Sequence, residues 1–254
     1  MTKELYITGA GVSADSGIPT FRGNDGLWTV GSKNYTPQEM ATRTMYEENP
    51  ADFLLWYYRR FAALQDIEPN EAHFWLSDKL LITQNIDGLD GKAGNESYIP
   101  IHGRLDKLVT YSSQEKIQDP IDANWHELEL YSRSNDESIL KEALLRKCKI
   151  SKDLNNIFSP IEETSLKPFV LLFDEYYTEN YRIGEAIHWM KTAEKMIFIG
   201  TSFSVNITAI ALEIAMDRNI PIEIVDPEPT RIHYSRVSYH KLTAVQYCKA
   251  RYSY

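Results

Sequence analysis

Two short glycine-rich segments could bind phosphate groups, because each follows an apolar run and carries small or hydroxyl side chains. Gly9-Ala10-Gly11 opens a stretch with the loose Gly-x-Gly-x-x-Gly/Ala spacing, which lets backbone amides approach a pyrophosphate at a helix start. Gly200-Thr201-Ser202 offers a glycine and two hydroxyl groups, which suit an anion or a ribose. Taken singly, the first segment could also be a plain strand-to-helix turn and the second an ordinary N-cap.

A cluster of amide and carboxylate side chains follows another apolar run. Gln84, Asn85 and Asp87 come directly after residues 80–83. Amide side chains both donate and accept hydrogen bonds, so the cluster suits a carboxamide such as nicotinamide. The alternative is an Asx-type turn that Gly88 closes.

Two further titratable side chains also stand at the ends of apolar runs. His102 follows residues 98–101 and could act as a general base, because an unperturbed histidine has a pKa of about 6.5. Asp226 follows residues 220–225, and its carboxylate could accept two hydrogen bonds from a ribose diol. A structural histidine and a helix cap are the respective alternatives.

These polar side chains can form one site only if the strands and helices of the fold bring them together. Short runs of continuous apolar character predict strands covered on both faces, as in a parallel sheet. Helical patterns over 50–64, 183–193 and 205–219 alternate with several of these runs, which indicates an α/β fold. Because the carboxyl ends of parallel strands meet at one edge, we expect the polar segments to line a single crevice. The predicted strands are 5–8, 80–83, 98–101, 169–173, 196–199, 220–225 and 243–246.

The stretch 106–166 interrupts this alternation. It contains no clear strand, a polar cluster at 132–137 and a helical pattern over 139–147. We therefore predict a small, mainly helical inserted domain at 106–166, and a sheet domain formed by 1–105 and 167–254.

Length, charge and cysteine content exclude several classes of protein. The chain has 254 residues, 43% of them hydrophobic, and a formal net charge of −9, which is typical of a folded domain that does not bind nucleic acid. No apolar run approaches the roughly 20 residues of a membrane span, and no signal segment is evident, so we expect no membrane partner and a cytoplasmic location. Cys148 and Cys248 fit a reducing compartment.

Taken together, the motifs resemble the sirtuin family of NAD-dependent protein deacylases. The resemblance implies a Rossmann-type parallel sheet with helices on both faces, NAD as co-substrate, and an acylated lysine of a protein or peptide as partner. The segments that carry it are Gly9-Ala10-Gly11-Val12-Ser13, Ser16-Gly17-Ile18-Pro19-Thr20-Phe21-Arg22-Gly23, Asp25-Gly26-Leu27-Trp28, Pro69-Asn70-Glu71-Ala72-His73, Thr83-Gln84-Asn85-Ile86-Asp87-Gly88-Leu89, His102-Gly103 and Gly200-Thr201-Ser202.

The resemblance also implies residue roles. His102 would be the catalytic base and Asn85 a second catalytic residue, in a reaction that releases nicotinamide and transfers the acyl group to ADP-ribose. Asp226 stands where the family usually has asparagine, a change that a ribose diol should tolerate. The implied NAD-binding residues are Gly9, Ala10, Gly11, Phe21, Arg22, Gln84, Asn85, Asp87, Gly200, Thr201, Ser202 and Asp226.

One departure from the family concerns its metal. Sirtuins usually carry four zinc-binding cysteines in the small domain, whereas residues 106–166 hold only Cys148 and His126 as candidate ligands. Two ligands cannot close a tetrahedral site, so we predict a small domain without zinc and assign no metal ligands.

Other departures concern the substrate. The family commonly has Phe-Gly-Glu where this chain has Phe173-Asp174-Glu175; Phe173 and Glu175 are candidate substrate contacts, and the Asp174 side chain could crowd a bound peptide. On a helix after residue 50, Tyr57 with Arg60 could bind an acidic acyl group such as succinyl. The alternatives are the neighbouring pair, Trp56 with Arg59, or a basic surface pair beside a core aromatic ring.

The leading hypothesis is an NAD-dependent protein-lysine deacylase of the deacetylase or desuccinylase type. An NAD glycohydrolase or ADP-ribosyltransferase on the same scaffold is the first alternative. A non-catalytic NAD-sensing module is the second, although mere binding would not require a base at His102.

Overall fold

A computed structural model of the chain describes residues 3–19, 35–60, 64, 66–134 and 136–252. The strands are β1 (Glu4–Thr8), β2 (Leu81–Thr83), β3 (Ile99–Pro100), β4 (Gly103–Thr110), β5 (Ile121–Asp122), β6 (Ser151–Lys152), β7 (Phe158–Ser159), β8 (Leu166–Val170), β9 (Lys195–Ile199), β10 (Ile222–Val225) and β11 (Val237–His240). The helices are α1 (Pro37–Met40), α2 (Arg43–Glu48), α3 (Pro50–Arg60), α4 (Glu71–Leu76), α5 (Leu89–Lys92), α6 (Glu129–Ser132), α7 (Glu137–Lys147), α8 (Ile183–Thr192), α9 (Asn206–Asp217) and α10 (Ala244–Tyr252). None of the helices in the described ranges is long and apolar enough to cross a membrane.

The chain forms two compact units. In its described part, unit 1 comprises 3–19, 67–102 and 181–252, and unit 2 comprises the described residues between 35 and 66 together with 103–180. The predicted insert 106–166 thus lies within unit 2, which also takes in α1, α2 and α3 because α3 packs against α7.

Unit 1 is built on a six-stranded parallel sheet with the order β11-β10-β9-β1-β2-β3. Successive strands run outward from β1 in one direction and from β9 in the other, which is the strand order of a Rossmann-type sheet. The predicted α/β fold is therefore confirmed. In such a sheet the reversal of strand order, here between β1 and β9, opens a crevice at the carboxyl ends of the strands.

Both faces of this sheet are covered, as the continuous apolar strands predicted. Tyr6 and Ile197 point to one face and pack in a buried cluster with Trp75 of α4 and Tyr247 of α10. Leu5, Ile7 and Phe198 alternate with them, point to the opposite face and are fully buried as well.

The predicted strand at 243–246 is wrong, because helix α10 begins there. The Thr243 hydroxyl accepts a hydrogen bond from the Gln246 N–H (3.2 Å), and the Gln246 side chain accepts one from the Thr243 N–H (3.0 Å). This reciprocal capping starts a helix despite the β-branched residues around it. The sixth strand of the sheet is instead β11.

Unit 2 contains the predicted helix at 139–147 as α7, and β8 overlaps the predicted strand at 169–173. Unit 2 also contains β4, β5, β6 and β7, which the sequence did not reveal. β5, β4 and β8 form an antiparallel sheet, and β6 and β7 form a separate pair. Strand β4 contains both charged and apolar residues, and its pairing with β8 has a register shift between Arg104 and Leu108. The shift interrupts the alternation of buried and exposed residues by which a strand is recognised in a sequence. Leu140, Leu144 and Leu145 of α7 are buried, and the Trp125 indole donates to the Leu105 carbonyl (2.9 Å).

Candidate active site

The two glycine-rich segments meet at the crevice between β1 and β9. The Gly9 N–H donates to the Ile199 carbonyl (3.0 Å) and the Gly11 N–H donates to the Gly200 carbonyl (2.9 Å). A Cβ atom on Gly11 would lie 2.6 Å from Gly200 Cα, and Gly200 has a φ of +62°. Only residues without a side chain allow this approach of two backbones, so the glycines are required by packing as well as by any ligand.

Gln84 extends from the end of β2 toward the same two loops. Its Nε2 donates to the Thr8 carbonyl at the end of β1 (3.0 Å) and to the Thr201 hydroxyl after β9 (3.1 Å). Thr201 is 5% exposed. The ends of three neighbouring strands are therefore joined by one amide side chain.

Asn85 is almost fully buried and is oriented by two hydrogen bonds. Its Nδ2 donates to the Gly9 carbonyl and to the Ser13 hydroxyl, both at 3.1 Å. No donor in the described part of the chain lies within hydrogen-bond distance of its Oδ1. A buried amide oxygen without a partner marks a position where a ligand could donate a hydrogen bond.

Ser13 links this amide to a carboxylate and a histidine. The Ser13 hydroxyl donates to Asp87 Oδ2 (2.7 Å), and His73 Nε2 lies 3.4 Å from the same hydroxyl oxygen. Asp87 Oδ1 accepts a further hydrogen bond from the Leu89 N–H (3.0 Å). Burial raises the pKa of Asp87 above its usual range, whereas these two donors favour its charged form.

The tautomer of His73 follows from its other partner. The Asn70 N–H donates to His73 Nδ1 (3.2 Å), so the ring proton is assigned to Nε2, which then donates to Ser13. Burial lowers the pKa of His73 to about 4, which keeps the ring neutral at pH 7. Sequence reasoning gave Ser13 and His73 no role of their own; the Asn70-x-x-His73 spacing, which forms a capping box at the start of α4, was the available signal.

His102 is held in the tautomer that a base requires. Its Nδ1 lies 2.9 Å from the Gln84 carbonyl, which can only accept, so Nδ1 carries the proton and Nε2 is the unprotonated nitrogen. Desolvation lowers the pKa of His102 to about 4, an effect that the hydrogen bond to Gln84 partly opposes. The imidazole is therefore neutral at pH 7.

The remaining predicted residues of unit 1 lie at the same ends of the strands. The Asp226 carboxylate follows β10 and accepts a hydrogen bond from the Glu228 N–H (2.9 Å), which forms an Asx-type turn. The Ser202 hydroxyl lies 2.6 Å from that of Ser204. Ala10 begins a 3₁₀ turn, Ala10–Val12, directly after β1. Phe21 and Arg22 lie outside the described residues.

The predicted substrate residues belong to unit 2. Phe173 is 56% exposed, whereas the Glu175 side chain is only 3% exposed and contacts Lys167 Nζ (3.3 Å) and Arg43 Nη1 (3.4 Å). The Asp174 carboxylate accepts hydrogen bonds from the backbone N–H groups of residues 43 and 44 (2.6 and 3.0 Å), at the start of α2. Glu175 thus belongs to a buried ion pair, and Asp174 is bound to a helix start.

Of the pair proposed for an acidic acyl group, the structure describes the side chain of Tyr57. Tyr57 is 2% exposed and packs against the rings of Phe53 and Trp56 at centroid distances of 4.7 and 5.0 Å. The side chain of Arg60 lies outside the described residues. Arg59, in the neighbouring pair, contacts Glu137 on α7 at 2.5 Å.

The structure describes both candidate metal ligands of unit 2. Cys148 is fully buried, and burial raises the pKa of its thiol to about 12. The His126 ring is exposed and contacts Glu129 (2.7 Å) and Asp66 (3.4 Å). Across the ranges that the structure describes, no three His, Cys, Asp or Glu side chains come together in a metal-binding arrangement.

Comparison with known proteins identifies the family. The model of the Sir2 family matches residues 9–207. The chain is 31% identical over 229 residues to the NAD-dependent protein deacylase of Leptospira interrogans, covering 87% of this chain and 80% of that protein. It is 29% identical over 250 residues to NAD-dependent protein deacylase 1 of Caldanaerobacter subterraneus, covering 96% and 90%.

Solved structures agree with this match. A Sir2 homologue in complex with NAD superposes with a TM-score of 0.71 at 27% identity, covering 97% of this chain and 86% of that one. A Sir2 homologue in complex with ADP-ribose gives a TM-score of 0.71 at 26% identity, covering 97% and 89%. From the matched residues, the shared fold and the extent of the relatives, we conclude that this chain belongs to the Sir2 family.

Proposed function

We propose that the protein is an NAD-dependent protein-lysine deacylase, which transfers the acyl group of a modified lysine to ADP-ribose and releases nicotinamide. Membership of the Sir2 family and the names of its relatives support this proposal. The observation that carries it is the tautomer of His102, whose Nδ1 is bound to the carbonyl of Gln84. Gln84 directly precedes Asn85, which belongs to a buried hydrogen-bond network with Ser13 and Asp87.

The residues of the crevice fit NAD. Asn85 Oδ1 is a buried acceptor whose unpaired state costs about 1–3 kcal/mol, and a ligand donor at this position would remove that cost. The contact between Gly11 and Gly200 keeps side chains out of the point where the strand order reverses, which is where dinucleotides bind in Rossmann-type sheets. When bound, NAD supplies nicotinamide as leaving group and ADP-ribose as acyl acceptor.

The chain's own groups then orient and move protons. His102 Nε2 accepts a proton from a ribose hydroxyl, because its Nδ1 proton stays bound to the Gln84 carbonyl. Asn85 and Asp87 bind the ribose and the carboxamide, while Ser13 fixes the orientation of both side chains. The roles of all the residues implied for NAD binding remain predictions, those of Ala10, Phe21, Arg22 and Asp226 included.

The test is product analysis with purified protein, NAD, and peptides that carry acetyl-lysine or succinyl-lysine. We expect nicotinamide and acyl-ADP-ribose to form only when peptide is present. His102→Ala should reduce acyl transfer by about 10²–10⁴-fold, the usual contribution of a general base, and should retain NAD binding. His188→Ala, an exposed histidine on α8, is the matched control and should keep the parental rate.

Other results of this assay would support one of the alternative functions or contradict the role of His102. ADP-ribose formed without peptide would indicate a glycohydrolase, and ADP-ribosylated protein would indicate a transferase. If no mixture released nicotinamide, the sensing module would replace the enzyme. A parental rate in His102→Ala would contradict the assignment of the base.

We further propose that unit 2 is stable without zinc and that the enzyme is cytoplasmic and binds neither nucleic acid nor membrane. The first statement is supported by the sequence, since residues 106–166 offer only Cys148 and His126 as candidate ligands. The net charge of −9 and the free cysteines support the others. Elemental analysis of the purified protein should find less than stoichiometric zinc, and a chelator should leave its melting temperature unchanged. Stoichiometric zinc would refute the first statement.

A further inference from the structure

Asp90 is a buried carboxyl group that the proposed reaction does not use. It lies in α5, three residues after Asp87, and is 2% exposed. The Thr83 side chain lies close enough to favour the charged form of its carboxyl group, and its Oδ1 has no hydrogen-bond partner among residues the structure describes. A charged carboxylate buried with a single donor is costly, because water no longer stabilises it.

Asp87 and Asp90 differ in their support for a negative charge. Asp87 accepts hydrogen bonds from the Ser13 hydroxyl and the Leu89 N–H, and Lys92 adds an electrostatic attraction. Among the residues that the structure describes, only the Thr83 side chain favours a charge on Asp90, and the charge of Asp87 repels it. When two close carboxyl groups share one site, the group with fewer donors keeps the proton.

Thr83 connects Asp90 to the segment that holds the proposed active site. Its hydroxyl oxygen accepts hydrogen bonds from the Thr8 hydroxyl (2.9 Å) and from the Asn85 N–H (3.2 Å). Both acceptor positions of this oxygen are therefore used, and its single proton is the group through which Thr83 favours a charge on Asp90. Asp90 and the Asn85 N–H therefore have the Thr83 hydroxyl as a common neighbour, so a change in the charge of Asp90 affects the hydrogen bond of Asn85.

We propose that Asp90 is a positioning residue, which holds a proton so that Asp87 alone carries the charge beside Asn85. This inference rests on the proposed function. Loss of the Asp90 proton would create two adjacent carboxylates and repel Asp87 from its donor Ser13, which disturbs the segment 85–87 that orients the ribose and carboxamide.

Asp90 loses its proton in a different pH range from the two neighbouring histidines. Burial, and next the charge of Asp87, raise the pKa of Asp90 to about 7. The titratable groups around the pair are Lys92 on α5, His73 on α4 through Ser13, and the Tyr98 hydroxyl beside Gly91. His102 binds the carbonyl of Gln84, the residue before Asn85. Burial lowers the pKa of both histidines to about 4, so neither titrates near neutrality.

The kinetic test compares the parent with Asp90→Asn, a neutral side chain of the same shape, in nicotinamide release with acetyl-lysine peptide. In the parent, we expect kcat/KM to fall at least about threefold between pH 6.5 and pH 8.5, as the second charge appears. In Asp90→Asn this fall should disappear. Asp78→Asn, an exposed residue paired with Lys79, is the matched control and should keep the parental pH profile. A parental profile in Asp90→Asn would overturn the inference.

A second measurement does not depend on catalysis. Because the folded-state pKa of Asp90 is raised above its ordinary value of 3.8, its stabilising contribution is present at low pH and is lost as pH rises toward 7. Asp90→Asn should therefore exceed the parent in melting temperature by at least about 5 °C at pH 8, and by much less at pH 4. An equal difference at both pH values would refute the inference. Absence of nicotinamide release from the parent would refute the proposed function alone.

Discussion

Alanine at position 200 would put a methyl group where the backbones of two loops touch. A Cβ on Gly200 would lie 2.6 Å from Gly11 Cα and 2.7 Å from both Gly11 C and Val12 N. All three atoms belong to the backbone of the loop that follows β1, so no side chain can rotate to relieve the collision. Gly200→Ala must therefore separate the ends of β1 and β9.

The expected loss of free energy of unfolding in Gly200→Ala has two parts. Alanine at a φ of +62° costs about 1–2 kcal/mol in the left-handed region. Moving packed backbone to admit a methyl group costs about 1–3 kcal/mol more. We expect Gly200→Ala to lower the free energy of unfolding by about 2–5 kcal/mol, a large share of the roughly 5–15 kcal/mol of a typical domain.

Alanine substitutions at two other glycines measure the cost of the positive φ and the cost of the collision separately. Gly94 has a φ of +96° and would have no atom within 4 Å of an added Cβ, so Gly94→Ala should report the backbone cost alone. Gly11→Ala produces the same collision from the opposite side, with a Cβ 2.6 Å from Gly200 Cα, in a residue for which no positive φ is found. It should therefore report the collision alone.

The assay is urea unfolding of the three variants at pH 7, combined with calorimetric NAD titration. Gly200→Ala and Gly11→Ala should both weaken NAD binding, whereas Gly94→Ala, at the end of α5, should not. If Gly200→Ala cost no more free energy of unfolding than Gly94→Ala, the two loops would not be in contact as described, and the reasoning would be wrong.

Two further predictions concern buried charge. Because burial lowers the pKa of His73 from 6.5 to about 4, its contribution to stability is full above pH 6.5 and is lost as pH falls toward 4, by about 3 kcal/mol in total. The free energy of unfolding should fall less steeply over this range in His73→Gln than in the parent; equal slopes would contradict the neutral buried ring. Lys167→Met should cost about 3–5 kcal/mol in urea unfolding, because it leaves the Glu175 carboxylate buried with fewer partners. Adding Glu175→Leu should recover part of that loss, and a further loss would show that the ion pair does not carry the effect.

Much of the candidate site could be predicted because it is local in sequence. Each of Gly9, Gln84 and Gly200 comes just after an apolar run, and a parallel sheet brings the carboxyl ends of such runs to one edge. The contact between Ser13 and His73 could not be predicted in this way. It joins residues 60 positions apart, and it depends on the angle at which α4 packs on the sheet.

Side-chain direction is a second property that the sequence did not reveal. The helical pattern at 50–64 correctly predicted α3, but it did not reveal that Tyr57 faces the interior while Arg59 reaches Glu137. Similarly, Phe173-Asp174-Glu175 indicated a substrate strand, whereas the two carboxylates bind α2, Lys167 and Arg43. The periodicity of the sequence predicts neither of these side-chain orientations, because both depend on partners that are distant in the chain.

The central position of β1 has a consequence for biosynthesis. One neighbour, β2, begins at residue 81, but the other, β9, pairs Glu4 with Lys195. At about 5–20 residues per second, the ribosome needs roughly 10–40 s between making these two strands. During that time the Gly9–Gly11 loop lacks the strand end against which it packs, so the nascent chain exposes an apolar sheet edge that chaperones would be expected to bind.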